Sequence, residues 1–409
     1  MLVPLLFFVS ALAVKQDQTP LRAGCSADDE VLATLAAGAK LDVHYAIADG
    51  SNCFSVTATV DGKRVQGFMP GDALTGVDAF EHERASAGDP ESIRMMAPMV
   101  EKLSKQLAAQ IGDPDVVRAL ELVRANQPAE ALRILEPLEK KYGRDPNFLV
   151  LAGMAAYKSD NVRAALDYWK RSLDLQPNDN LAALYAKATR EASADKSGEK
   201  LYGNRVLLRY EGENLPPDTA RTVVALLDTE FMRISSQLGC PAEEKIVAIV
   251  QSRDAYYKTT GSAEWSDGQY DGRIHVALLE GPNLGPETRR TLTHEIVHAC
   301  LTNIPSGGTP WPSWLQEGIA QKLSGDRLPE PIRAQLKEMA ASHQIPKLEN
   351  LGGNWLRLNA TNARVAYSLA LAAADELFAN YQNFGIRNIL NNPDRLPQIT
   401  MDLDKRLGL

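Results

Sequence analysis

Residues 293–300 read T-H-E-I-V-H-A-C, and W-L-Q-E-G follows at 314–318. His294 and His298, four positions apart, share a face only on a helix, and there both imidazoles can reach one ion. Glu317 must then return to that face on a second element, so the pair dictates helix, reversal, helix. Gly285-Pro286-Glu287 opens the first helix, with proline where no amide donor is needed and an acid in the first turn. Leu292, Ile296 and Ala299 give it an inward stripe. The N-I-P-S-G-G-T-P-W-P run supplies the reversal. Ser313 and Gln316 have capping-box spacing and start the second helix, where Gly318 and Ala320 are small enough to let it lie close beside the first.

This donor set predicts one catalytic Zn2+ per chain, held by His294, His298 and Glu317 with water in the fourth position. Glu295, next to the first ligand, suits the general base for metal-activated water attacking an amide carbonyl. The competing reading is a zincin-like fold that has lost catalysis and acts as a binding or scaffold protein. A cell-wall peptide amidase would use the same centre on another amide. Cys300 points away from His298 on the helix, which suits a disulfide or the core better than the metal. His44, His82 and His343 lack ligand-like spacing.

Upstream of the histidines the text alternates between strand and helix signals. L-L-R-Y-E-G and K-I-V-A-I-V-Q-S predict strands around a helix from Pro217 to Leu238. Tyr270 to Leu278 predicts another strand, with Ile274, Val276 and Leu278 on one face and Arg273 and His275 on the other. The segment from Glu191, E-A-S-A-D-K-S-G-E-K, reads as a domain boundary. Before it, Ala131 and Ala165, then Leu135 and Trp169, occupy matched positions 34 residues apart. The phrase from Leu149 to Asp179, with Gly153 and Ala165 at small helix-contact positions, is similar to a tetratricopeptide repeat. About two repeats follow from this, offering a protein partner a limited surface or simply packing on neighbouring domains. Met96, Met99, Val100, Leu103 and Leu107 form one further helical stripe.

The N-terminal third is turn-rich and strand-like. Phe54, Val56, Ala58 and Val60 alternate up to an Asp61-Gly62 turn, which predicts short antiparallel strands. This run resembles bacterial SH3-like modules. Positions 2–14 carry no charge, fit a secretory h-region and are too short to span a bilayer; Ala11 and Ala13 suit cleavage after Ala13. A basic n-region is missing, which leaves an uncleaved anchor as the alternative. Export to a bacterial periplasm or medium is the expectation, with no membrane span after cleavage. Four cysteines in an exported chain pair most simply as Cys25–Cys53 and Cys240–Cys300, one of three connectivities. A net charge of -8, from 44 basic and 52 acidic residues with no basic block, argues against nucleic acid as a partner.

The region from Leu201 onward resembles the peptidase MA-like family of gluzincin-type metallopeptidases. The resemblance rests on G-Q-Y-D-G-R-I-H-V, T-L-T-H-E-I-V-H-A-C, P-W-P-S-W-L-Q-E-G-I-A-Q and R-V-A-Y-S-L-A-L-A-A-A-D-E-L. It implies hydrolysis of peptide or protein substrates in an α+β zincin-like domain whose mixed sheet packs on the zinc helix. It also implies an edge strand above the cleft, here Arg273 to Ala277 with His275 between them, where an extended peptide adds by backbone pairing. Tyr367 resembles the family's tyrosine after the third ligand, a donor to the oxyanion. Trp265 and Trp311 are candidates for the cleft floor. Gln321 and Lys322 depart from the family's acid and tyrosine, so a carboxylate that orients a histidine has to come from elsewhere. The expected fold class is therefore multidomain. A leader at 1–13 precedes an all-β SH3-like barrel at 25–78, an α-helical tetratricopeptide-like spacer at 90–193 and an α+β zincin-like metallopeptidase domain at 200–409. At 409 residues the chain has room for all of them, since one core rarely serves more than roughly 250 residues.

Overall fold

The structure is a computed structural model that describes residues 12–46, 53–77, 103, 107, 111–125, 127–195, 198–241, 245–262, 266–278, 283–304, 311–342, 344–351, 355 and 360–409. Twelve α-helices and two sheets occupy these residues, a multidomain α+β arrangement. Among them no helix is long and apolar enough to cross a membrane.

The first sheet runs in the order β3-β2-β6-β5-β4-β1-β7. Its strands are β1 (Leu12–Val14), β2 (Thr19–Arg22), β3 (Val31–Leu35), β4 (Lys40–Ala46), β5 (Cys53–Val60), β6 (Lys63–Pro70) and β7 (Leu74–Thr75), paired antiparallel throughout. The β5–β6 hairpin turns at Asp61 and Gly62, both with positive φ, as two-residue hairpins of this hand require. Phe54, Val56 and Ala58 point into its core as their alternation predicts. The N-terminal boundary differs from the expectation: among the described residues the sheet already includes Leu12, ahead of Cys25. Leu12 is 0% exposed and β1 is hydrogen-bonded to β4 and β7, so cleavage after Ala13 would remove most of an interior strand.

Five helices follow: α1 (Pro114–Arg124), α2 (Pro128–Tyr142), α3 (Pro146–Lys158), α4 (Val162–Leu175) and α5 (Asp179–Ala194). Asp113, Asp145, Asn161 and Asn178 cap four of them with side-chain oxygens. Gly153 is where α3 meets α4, because a Cβ there would collide with the Trp169 ring. Trp169 is fully buried and donates from its indole nitrogen to the Val150 carbonyl at 3.3 Å. Ala131, Leu135 and Ala165 are buried in the same core, as are Leu103 and Leu107; Met96, Met99 and Val100 lie outside the described residues. The boundary read at Glu191 falls later, since α5 continues to Ala194 and Glu191 is buried on its inner face.

The second sheet has the order β11-β12-β10-β9-β8, formed by β8 (Glu199–Tyr202), β9 (Val206–Tyr210), β10 (Ile246–Ser252), β11 (Gly268–Tyr270) and β12 (Ile274–Leu278). Its three inner strands are parallel and its two outer ones antiparallel. On one face lie α6 (Pro217–Leu238) and α8 (Pro286–Asn303), closing a core of Val223, Leu227, Phe231, Ala248, Val250, Ile274, Val276, Leu292 and Ile296. On the other lie α5 and the short α7 (Arg253–Thr260). Cys240, just past the end of α6, is bonded to Cys300 on α8, and Cys25 to Cys53 in the β domain. Then come α9 (Ser313–Ser324), α10 (Glu330–Ala341), α11 (Ala360–Asn391) and α12 (Leu396–Leu407). The second half of the predicted pair, α9, begins at Ser313 as expected but not by a capping box: no side chain caps it, and Gln316 instead donates to the Trp311 carbonyl at 2.6 Å. Gly318 serves a different neighbour from the expected one, since a Cβ there would strike the Ala370 carbonyl of α11.

Candidate metal centre

Helix α8 places His294 and His298 one turn apart, and α9 returns Glu317 to them. His294 Nε2 lies 3.2 Å from Glu317 Oε2, His298 Nε2 lies 3.4 Å from the same oxygen, and the two Nε2 atoms are 3.1 Å apart. A tetrahedral ion about 2.0–2.1 Å from each donor sets donor separations of about 3.3 Å. The triangle therefore has a size that one tetrahedral ion fits, and its two imidazoles and a carboxylate could hold such an ion.

The electrostatics agree with a site that concentrates charge. Burial alone would lower the His298 imidazole, but the Glu317 carboxylate outweighs it and pushes His298 up to about 9. Burial alone would raise Glu317, yet His298 and His294 hold it well below the usual carboxylate range. Glu295 is 4% exposed, and its Oε2 has no hydrogen-bond partner among the described residues. Burial raises its pKa, opposed in part by His298 and His294. Edge strand β11 passes directly over it. A Cβ built on Gly268 would stand 2.7 Å from Glu295 Oε1 and 2.5 Å from Thr291 Cγ2, so only glycine permits this approach.

Tyr367 stands on α11, its ring edge-on to Trp355 with centroids 5.0 Å apart. Burial raises its hydroxyl well above the ordinary range, and the charges of Glu317 and Glu295 raise it further, which puts the ring within electrostatic reach of both. Gln321 donates to the Tyr367 carbonyl at 3.0 Å and so ties α9 to α11 without orienting a histidine. Lys322 pairs instead with Asp375 at 2.6 Å. Asp326, just past the end of α9, is near enough to His294 for the two charges to interact: burial raises its carboxyl, and His294 opposes that. Trp311 is a core residue that donates to the Leu301 carbonyl at 3.3 Å, and Trp265 lies outside the described residues.

Arg273, His275 and Ala277 do not form the expected cleft edge. Strand β12 lies between β10 and β11, and these three residues are 1%, 2% and 0% exposed. A strand buried on both faces is an interior strand, and the edge beside Glu295 is β11. The side chains of Arg273 and His275 turn away from the metal centre into a charge network with the helical layer. Arg273 donates to Glu191 Oε2 at 2.5 Å and covers the Tyr157 ring at 4.2 Å; Lys187 pairs with Asp271; His275 Nε2 is 3.2 Å from Asp271 Oδ1; and Tyr157 donates to Glu191 at 2.9 Å. Glu191, Asp271 and His275 have ligand atoms within 4.8 Å of one another, but Lys187 and Arg273 already supply the compensating cations there. Sequence reading missed this network because its members come from three separate segments. The one local signal was the pair of charged residues, Asp271 and Arg273, flanking an apolar strand. Comparison with protein-family models, curated proteins and solved structures finds no match.

Proposed function

We propose that the chain is a zinc metallopeptidase whose centre is His294, His298 and Glu317. The observation that carries this reading is the triangle of donors separated by 3.1–3.4 Å, with the buried, unpartnered Glu295 Oε2 one residue from the first ligand. Zinc bound there supplies a lowered pKa for water and a counter-charge for a developing oxyanion. Glu295 takes the proton from the attacking water and passes it to the departing amine, and its burial favours holding that proton between the two steps. Tyr367, kept protonated well past neutrality, donates its hydroxyl to the carbonyl oxygen. An extended peptide pairs with β11, the sheet edge beside Glu295, in place of the buried β12. The helical layer, read as tetratricopeptide-like repeats, and the SH3-like β domain are then attachments to a zincin-like catalytic unit. Two disulfides suit an oxidising, exported location.

The test is elemental analysis and cleavage of an extended peptide library by reconstituted protein, unmodified and as His294→Ala and Glu295→Gln. Near-stoichiometric zinc is expected in the unmodified protein and in Glu295→Gln, and its loss in His294→Ala. Cleavage by Glu295→Gln should fall by roughly 10²–10⁴-fold. Zinc that survives His294→Ala would refute the centre, and full activity in Glu295→Gln would refute the base.

A further inference from the structure

We propose that a second site, on the opposite face of the second sheet from the metal centre, binds a small zwitterion: a free α-amino acid or an unblocked dipeptide. It is the cavity between the helical layer and the face of the second sheet that carries Arg273 and His275. The cavity measures about 390 Å³ and is bordered by both the α3–α4 connection and the strands β8, β9, β10 and β12. That volume falls in the range of about 300–1,000 Å³ typical of small-ligand sites.

Its wall carries charges of both signs. Asp160, Glu191 and Asp195 border it, as do Arg163, Lys200, Arg209 and Arg273. Much of this charge is already paired, as in Arg273 with Glu191 and Arg209 with Asp195 and with Oδ1 of Asp160, but three buried atoms on the cavity wall have no hydrogen-bond partner among the described residues: Asp160 Oδ2, Arg273 Nε and His275 Nδ1. The first is an acceptor, the second a donor, and the third takes either role according to its tautomer. Asp160, Arg273 and His275 are each 2% exposed at the side chain, and buried polar atoms of this kind call for a partner. Arg163 stands exposed at the mouth and makes no ion pair among the described residues, while Lys200 is half-exposed and only loosely placed against Asp160 at 3.6 Å.

These features select the ligand by charge. A simple anion would have to sit against three carboxylates, and a simple cation against four fixed cations; either leaves part of the wall opposed to it. A molecule with a carboxylate and an ammonium a few atoms apart satisfies both signs. Its carboxylate faces Arg163, and its ammonium faces Asp160 Oδ2, which accepts no hydrogen bond and has Lys200 beside it only at 3.6 Å. Neither interaction depends on zinc, so the site stands or falls apart from the peptidase reading.

The experiment is isothermal titration of the full-length protein with Ala-Ala, with N-acetyl-Ala-Ala and with Ala-Ala amide, repeated on Arg163→Glu and His294→Ala. Ala-Ala should bind once per chain, and blocking either end should weaken binding by about tenfold or more, the worth of one charge-assisted hydrogen bond. Arg163→Glu, an exposed change near the start of α4, should weaken it similarly, whereas His294→Ala should leave it unchanged. No binding at millimolar dipeptide would mean that the cavity holds water only. Equal affinity for the blocked forms, or indifference to Arg163→Glu, would overturn the charge assignment. Loss of binding in His294→Ala would place the dipeptide at the metal centre and also overturn the proposal.

Discussion

Gly268 ties the edge strand to the chemistry more tightly than any ligand-spacing argument suggests. The nearest atoms to a Cβ at this position are on Thr291 and Glu295, so Gly268→Ala must push β11 outward or turn the Glu295 carboxylate. Displacing a catalytic group by about 1 Å can cost roughly 10²-fold in rate. On the proposed peptidase reading, Gly268→Ala is therefore expected to keep its zinc and its fold while kcat falls on that order, read by steady-state cleavage alongside metal content. Unchanged kcat would show that β11 does not constrain the base. Residues of this kind set the limit of what the sequence discloses. His294, Glu295, His298 and Glu317 were legible because a helical period and one return place them together. Gly268 was not, because its constraint is a neighbour 27 positions away that no local pattern marks.

At the scale of elements, the local signals held and the neighbours did not. The α6 and α8 helices, the strands around them and the Asp61-Gly62 hairpin formed where proline, glycine and apolar spacing placed them. The position of β12 inside the sheet, the packing of Gly318 on α11 and the ion network under β12 are long-range facts; Tyr157 and Asp271 are 114 residues apart, and Lys187 and Asp271 are 84. That network makes α5 part of the sheet's support. Lys187→Met leaves Asp271 buried without its ammonium partner, so it should destabilise the protein by about 3–5 kcal/mol, measured by denaturant unfolding. The same contacts fix a pH dependence. Burial alone would raise Asp271, but Lys187, His275 and Arg273 hold it well below 3.8, and Arg273 and Lys187 likewise lower Glu191. Depressed carboxyls add stability that is present above their unfolded values and lost as pH falls through the folded ones. Acid unfolding followed by circular dichroism should begin at higher pH in Lys187→Met than in the unmodified chain. Coincident acid transitions would show that this ion pair carries no such share.

At the scale of the whole molecule, two disulfides divide the covalent support between the β domain and the unit that carries His294, His298 and Glu317. Cys240–Cys300 closes 60 residues, a span that takes in β10, α7, β11, β12 and most of α8, and joins the end of α6 to α8, which carries His294 and His298. Closing a loop of this length removes unfolded-state entropy worth about 4 kcal/mol. The bond lies in the apolar core between the two helices, with Cys300 fully buried, so the native contacts around it do not depend on the sulfur link. The double variant Cys240→Ala/Cys300→Ala should thus lose about 4 kcal/mol by denaturant melting and still bind zinc below its transition, because the triangle of His294, His298 and Glu317 is built by α8 and α9 on the side of α8 remote from Cys300. Reductant should lower the unmodified protein's midpoint toward that of the variant, and lower the variant's own midpoint only through Cys25–Cys53 in the β domain. A variant that folds but no longer takes up zinc would mean that the disulfide sets the register of α8, and with it the spacing of the donors.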